Sequence, residues 1–220
     1  MAVCHPDNFY HYNGTRKIEY IVVHYTAGKG DSAESNLAYF RNNSVGASAH
    51  YFVDKKDVRC LVDDNDIAYA VGTAGCYTQK HPKCFNSNSL SIEMCTMLDR
   101  YSIAPETEDR CAKLVAFLMI KYQIPMENVL RHWDVVNKPC PAPFLIDSRW
   151  KQFKKEVWRL FGKQCYEAIK EYLMTQECPS YFREELEEAK NLGITDGKTP
   201  MMFVTRVQAA VMAKRAVEGK

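Results

Sequence analysis

His132 and Cys140 stand eight positions apart in the stretch Arg131-His132-Trp133-Asp134-Val135-Val136-Asn137-Lys138-Pro139-Cys140-Pro141, and another lone histidine, His24, closes the apolar run Tyr20-Ile21-Val22-Val23. A thiolate and two neutral imidazoles suit Zn²⁺, and three protein ligands instead of four leave a position for water or substrate, which points to hydrolysis. The plain alternative is three separate core residues, since a histidine ending a buried strand is more often a hydrogen-bonded core group than a ligand. Glu93 reads either as an exposed strand carboxylate or as the base that takes a proton from an attacking water and returns it to a leaving nitrogen. Lys138, two residues before the cysteine, is either a solvated loop charge or an ammonium that stabilises a developing oxyanion.

The elements that must position these groups are legible from periodicity. Residues 18 to 25 read as a central strand, because the continuous apolar run Tyr20-Ile21-Val22-Val23 is short, β-branched and soon closed by Thr26-Ala27-Gly28, with His24 at its C-terminal end. Asp31 with Glu34 three residues later predicts the start of a helix of about three turns. Ser48 to Val53 predicts a second strand. Leu90-Ser91-Ile92-Glu93-Met94-Cys95 alternates strictly, which puts Leu90, Ile92 and Met94 on one face and Glu93 on the other. Pro105 opens an amphipathic helix carrying Cys111, Leu114, Val115, Leu118, Met119 and Tyr122. Val129 to His132 predicts a short strand, and Asp147 caps a helix bearing Trp150, Phe153, Val157 and Phe161. Strands and helices alternate, so the class is α/β.

The chain has 220 residues, enough to bury a core without disulfides, with 46% hydrophobic and 25% charged residues. A net charge of +2 and a pI near 8.0 give no basic field of the kind that nucleic acid requires, and would not repel an anionic cell-wall polymer. No run reaches the roughly 18 apolar residues of a membrane span. The N-terminus shows no basic segment followed by an apolar stretch, which predicts synthesis in the cytoplasm and reduced thiols. Nine cysteines form no tandem metal-finger spacing. Cys76 and Cys84 flank a loop containing His81, which is expected to be exposed, and either close a disulfide or stay as free thiols, the latter being expected.

Taken in order, Ile21-Val22-Val23-His24-Tyr25-Thr26-Ala27, Ala47-Ser48-Ala49-His50-Tyr51-Phe52-Val53, Ser91-Ile92-Glu93 and the His132 to Pro141 stretch resemble the zinc-dependent N-acetylmuramoyl-L-alanine amidases related to bacteriophage lysozyme-type amidases and peptidoglycan recognition proteins. The resemblance covers residues 15 to 160, and its most specific part is the His132 to Cys140 motif. It implies a central mixed β-sheet flanked by helices, one catalytic Zn²⁺ on His24, His132 and Cys140, Glu93 as proton shuttle and Lys138 on the oxyanion. Some relatives carry a tyrosine beside the metal where this chain has His50, followed by Tyr51. Strand alternation points the two opposite ways, so His50 is assigned to the site or its substrate and Tyr51 to the core. Many relatives carry tryptophan and histidine at the second and third positions of Ala68-Tyr69-Ala70-Val71-Gly72, leaving Tyr69 as the substrate contact there. Trp133 is expected to pack, and Asp134 to orient a ligand imidazole.

These readings divide the chain into a zinc amidase domain at 1–162, a connector helix at 163–179 and a small helical C-terminal segment at 180–220. In the last, Ala189, Leu192-Gly193-Ile194, Gly197, Pro200, Phe203 and Thr205-Arg206 resemble a single S-layer-homology repeat, with Thr205 and Gln208 as a second capping box. A lone copy buries little apolar surface, so it is expected to dock on the catalytic domain or to assemble with copies from other chains, and its readings are wall-polymer attachment, self-association or a stabilising appendage. The resemblance implies cleavage of the lactyl–L-alanine amide of peptidoglycan, an antimicrobial activity, and the lack of an export signal favours a bacteriophage endolysin released through a phage-encoded pore over a bacterial autolysin, which would carry its own signal. The rival is a peptidoglycan-binding protein on the same fold, whose mark is loss of the cysteine ligand; Cys140 is present. A third class, regulation through a protein partner, has no feature in this sequence that demands it.

Overall fold

The computed structural model describes residues 4–96, 101–177, 180 and 183–198. In chain order its elements are β1 (Phe9–Tyr10), β2 (Tyr20–Tyr25), α1 (Ala33–Asn42), β3 (Tyr51–Val53), β4 (Val58–Cys60), β5 (Ile67–Ala68), β6 (Ser89–Met94), α2 (Pro105–Tyr122), β7 (Val129–Arg131), α3 (His132–Val135), α4 (Asp147–Thr175) and α5 (Arg183–Asn191). The main sheet has five strands in the order β4-β3-β6-β2-β7. β2 pairs in parallel with β6 and β7, β3 pairs in parallel with β6, and β4 closes the edge antiparallel to β3, so the sheet is mixed as expected. β1 and β5 make a separate two-stranded antiparallel ribbon.

Strands buried on both faces read as continuous apolar runs, and β2 is such a strand. One face of the sheet, with Ile21, Val23, Leu90, Ile92, Met94, Val53 and Val129, packs against Cys111, Val115, Leu118 and Met119 of α2 and Trp150, Phe153 and Val157 of α4. Each large aliphatic side chain buried there contributes about 1.5–3 kcal/mol. The register places Val22 beside Ser91, and His24 beside Glu93 and then Phe52, so these point to the opposite face. That face is covered in part by α1, whose Leu37 packs with Phe52, and by Val71, Cys84 and Val135.

Local detail departs from expectation where short polar side chains compete for backbone donors. α1 is capped by Ser32 and Ser35, each accepting the other's backbone N–H, instead of by Asp31 and Glu34; Asp31 accepts from the Asn36 amide. The strand predicted from Ser48 begins only at Tyr51, because the Ser48 N–H donates to the Tyr69 carbonyl of the neighbouring loop. β7 ends at Arg131, and His132 opens α3. Trp150 to Leu173, predicted as two stretches, lies in one helix of 29 residues, with Gly162 tolerated inside it at a cost of about 1 kcal/mol.

The chain divides into two compact units, Met1–Gly162 and Lys163–Lys220. In the second, α5 is polar, with a Lys190–Glu187 ion pair, and ends at Asn191 two residues before Gly193, whose φ of 70° suits glycine. Phe182, Pro200, Phe203 and the Thr205–Gln208 box lie outside the described residues. No helix among the described residues is long and apolar enough to cross a membrane.

Candidate metal centre

The C-terminal ends of three adjacent parallel strands converge on one spot, the usual place for a site in an open α/β sheet. β2 supplies His24, β6 supplies Glu93 at the paired position, and His132 follows β7 directly. Cys140 arrives on a loop held by the Trp133 N–H donating to the Cys140 carbonyl at 2.8 Å and by the Asn137 N–H donating to the Thr78 carbonyl at 3.1 Å. One ligand atom from each of His24, His132 and Cys140 lies within 4.8 Å of the others, and all three residues are buried. The two imidazole rings sit 4.5 Å apart, and His24 Nδ1 is 3.9 Å from both Cys140 Sγ and Glu93 Oε1.

His24 Nε2, both ring nitrogens of His132 and Glu93 Oε2 are buried and have no hydrogen-bond partner among the described residues. A buried polar atom without a partner costs about 1–3 kcal/mol, so a cluster of them is unstable unless something binds there. Burial holds His24 well below its ordinary pKa, and His132 is pushed down to about 3 by burial and the Lys138 charge. Both rings are therefore neutral and able to ligate. Burial, reinforced by Glu93, holds the Cys140 thiol above its ordinary value; a divalent cation at the sulfur reverses this by deprotonating it. Two neutral imidazoles, each with one ring-nitrogen lone pair to give, and one ionisable thiol fit a zinc ion with an open position.

Glu93 is pushed up to about 7 by burial, against the pull of Lys138 and with the help of Asp31. Asp31 can fold back because residue 28 is glycine: a Cβ there would meet the Asp31 carboxyl at 2.9 Å. Lys138 is half-buried and its charge acts on His24, His132, Glu93 and Cys140 alike.

The N-acetylmuramoyl-L-alanine amidase family pattern matches residues 14–143. The chain belongs to this family. It is 38% identical over 151 residues to the N-acetylmuramoyl-L-alanine amidase CwlL of Bacillus licheniformis, a match covering 66% of this chain and 42% of CwlL. It is 30% identical over 207 residues to the N-acetylmuramoyl-L-alanine amidase CwlA of Bacillus subtilis strain 168, covering 90% of this chain and 72% of CwlA. Among solved structures, PlyL superposes with a TM-score of 0.56 at 30% identity, over 65% of this chain and 85% of that one. The chain thus spans less than half the length of the first of these relatives, and shares the fold of PlyL.

Within this amidase-family domain the remaining expected site residues stand outside the His24, His132 and Cys140 cluster, with His50 close enough for its charge to act on His24. His50 is 1% exposed; its Nδ1 accepts from the Ser91 N–H at 3.0 Å, and its Nε2 lies 2.8 Å from Arg16 Nη2. It is a buried post beneath the sheet's polar face and not a group open to substrate. Tyr51 packs against the core and donates its hydroxyl to Asp64. Tyr69 lines an open depression of about 450 Å³ with Tyr10 and Phe85, and the lining includes none of His24, Glu93, His132, Lys138 or Cys140. The Asp134 carboxylate accepts from Arg131 at 2.8 and 3.0 Å, so it orients Arg131 instead of a ligand imidazole. Trp133 lies under Lys80, 4.2 Å from the ring centre. Cys76 and Cys84 are free thiols, and His81 is half-buried, its Nδ1 accepting from the Cys84 N–H.

Sequence reasoning missed Arg16. It is 7% exposed and donates through Nε to the Asp64 carbonyl at 2.8 Å and through Nη1 to the Asn86 and Ser89 carbonyls at 3.1 Å, while touching His50. Every partner is at least 34 residues away, so no local pattern announces it.

Proposed function

We propose that the chain hydrolyses the amide between the lactyl group of N-acetylmuramic acid and L-alanine in bacterial peptidoglycan, as a zinc-dependent enzyme of the endolysin type. The observation that carries this reading is the convergence of three unpartnered imidazole nitrogens and a buried thiol beside Glu93. His24, His132 and Cys140 would hold the zinc, which supplies Lewis acidity toward a carbonyl and makes water a better nucleophile. Glu93 takes the proton of the attacking water at a carboxylate oxygen and passes it to the departing L-alanine nitrogen. Its pKa near 7 suits both halves of that task at neutral pH. Lys138 places its ammonium against the developing oxyanion. Tyr69 contacts the wall polymer outside the reacting centre.

In this reading residues 1–162 are the catalytic domain, 163–179 a connector and 180–220 an S-layer-homology-like module for wall-polymer attachment or self-association. A bacteriophage source and antimicrobial action on exposed cell wall go with the endolysin assignment. The test is metal analysis of the purified chain together with mass spectrometry of purified peptidoglycan, with and without chelator. One zinc per chain and chelator-sensitive release of stem peptides beginning at L-alanine are expected. Zinc with no released peptide from several wall types would make this a recognition module, and absence of zinc would sink the proposal.

A further inference from the structure

The first half of α4 carries a second chemistry on its outer side. At about 100° per residue, Trp150, Lys154, Trp158, Lys151 and Lys155 fall within about 140° of one another around the helix. These five line an open groove of about 570 Å³. Trp150 anchors its inner edge at 7% exposure, whereas Trp158 is 58% exposed and is held flat by stacking on Phe161, 5.3 Å away and 10° from parallel. Lys154 Nζ sits 5.8 Å from the Trp150 ring centre.

Nearby acids are engaged elsewhere: Asp134 and Asp147 pair with Arg131, and Glu156 pairs with Arg159. Asp134 and Glu127 act on Lys154 at longer range. Lys151 and Lys155 have no carboxylate at ion-pair distance among the described residues, and stand about 6 Å apart along the axis. A groove with an exposed, rigid aromatic face and paired, unneutralised ammonium groups complements a chain that alternates sugar rings or the C–H surfaces of polyol units with anionic groups.

We propose that this groove binds a linear anionic polymer of phosphodiester-linked polyol or sugar units. A membrane surface fits less well, because polybasic membrane binding uses clusters of about 4–8 basic residues and surface-lying helices present their apolar face, whereas Phe153, Val157 and Leu160 of α4 are committed to the core. Nucleic acid needs a broad basic track, which a chain of net charge +2 does not offer. The site is independent of the metal centre, and its binding does not require turnover.

The test is titration of the full chain with poly(glycerol phosphate), read by tryptophan fluorescence and calorimetry. Lys151→Glu combined with Lys155→Glu should weaken binding about tenfold or more, since two charge-assisted contacts are lost. Wild-type affinity should fall steeply between about 50 and 200 mM salt. Trp158→Ala should weaken binding with no change in charge, and thermal melts should show all variants folded as wild type. Release of peptide from a soluble muropeptide should be the same in wild type and variants, so a failed amidase reading shows as absent turnover in every protein while polymer binding is scored separately. Equal affinity in wild type and variants, or binding to anionic phospholipid vesicles but not to the polymer, would overturn the proposal.

Discussion

Replacing Arg16 by methionine keeps the length of the stem and deletes the guanidinium. Three carbonyls, of Asp64, Asn86 and Ser89, would lose their donors. Each orphaned acceptor costs about 1–3 kcal/mol, a gross loss of about 3–9 kcal/mol. Against this stands relief from desolvating a cation, several kcal/mol, and burial does hold the Arg16 pKa below its ordinary value. The net destabilisation should be about 3 kcal/mol, which for a chain of this size lowers the melting temperature by about 6–12 °C. Arg16→Lys retains the charge but not the fork, and should fall between wild type and Arg16→Met. Asn86 also caps the Ala70 and Val71 N–H groups through its side chain, so loosening it frees the loop bearing Tyr69. KM for a wall fragment should therefore rise more than kcat falls. Circular-dichroism melts and steady-state kinetics read both effects. A melting shift under about 2 °C, with kinetics unchanged, would show that the Arg16 bonds do no more than replace lost solvation.

Three further outcomes are expected. Cys140→Ser should lower zinc content and melt below wild type, because zinc held at about 100 times its Kd stabilises by about 2.7 kcal/mol; chelation of the wild type should reproduce the shift. Glu93→Gln should retain zinc by elemental analysis and lose turnover by about 10²–10⁴-fold. Burial and the Arg16 charge hold His50 at about 3, below the value near 6.5 expected when unfolded. Unfolded chains therefore take up a proton that folded ones refuse, and stability, complete above about pH 6.5, should decline by about 1.4 kcal/mol per unit as pH falls toward 3. Urea midpoints at pH 7 and pH 5 test this, and His50→Gln should have the shallower slope.

Much of the fold was legible because burial imposes a period. The apolar run ending at His24, the alternation around Glu93 and the helical repeat from Cys111 to Met119 each follow from one face meeting the core. The grouping of His24, His132 and Cys140 was legible through the resemblance of the His24 strand and the His132 to Cys140 stretch to one family, and the structure brings the three side chains together. What was hidden depends on long-range partners or on short polar competition. Arg16 has no local signature, Ser32 outcompeted Asp31 for a cap by geometry alone, and Asp134 went to a neighbouring arginine instead of a ligand imidazole. Alternation gave the side of the sheet on which His50 lies and not its distance to solvent, which the structure sets at 1% exposure.

The two faces of β6 carry incompatible cargo only one residue out of phase. A slip of its pairing by a single position would bring Ile92 or Met94 beside His24 and drive Ser91 and Glu93 into the apolar layer under α2. Such a chain would take the Glu93 carboxylate away from His24 and bury it among apolar side chains in the same stroke. Assembly of the candidate site and fidelity of folding are thus one property of this sheet, since any chain that brings Glu93 beside His24 has also paired β6 in its native alignment.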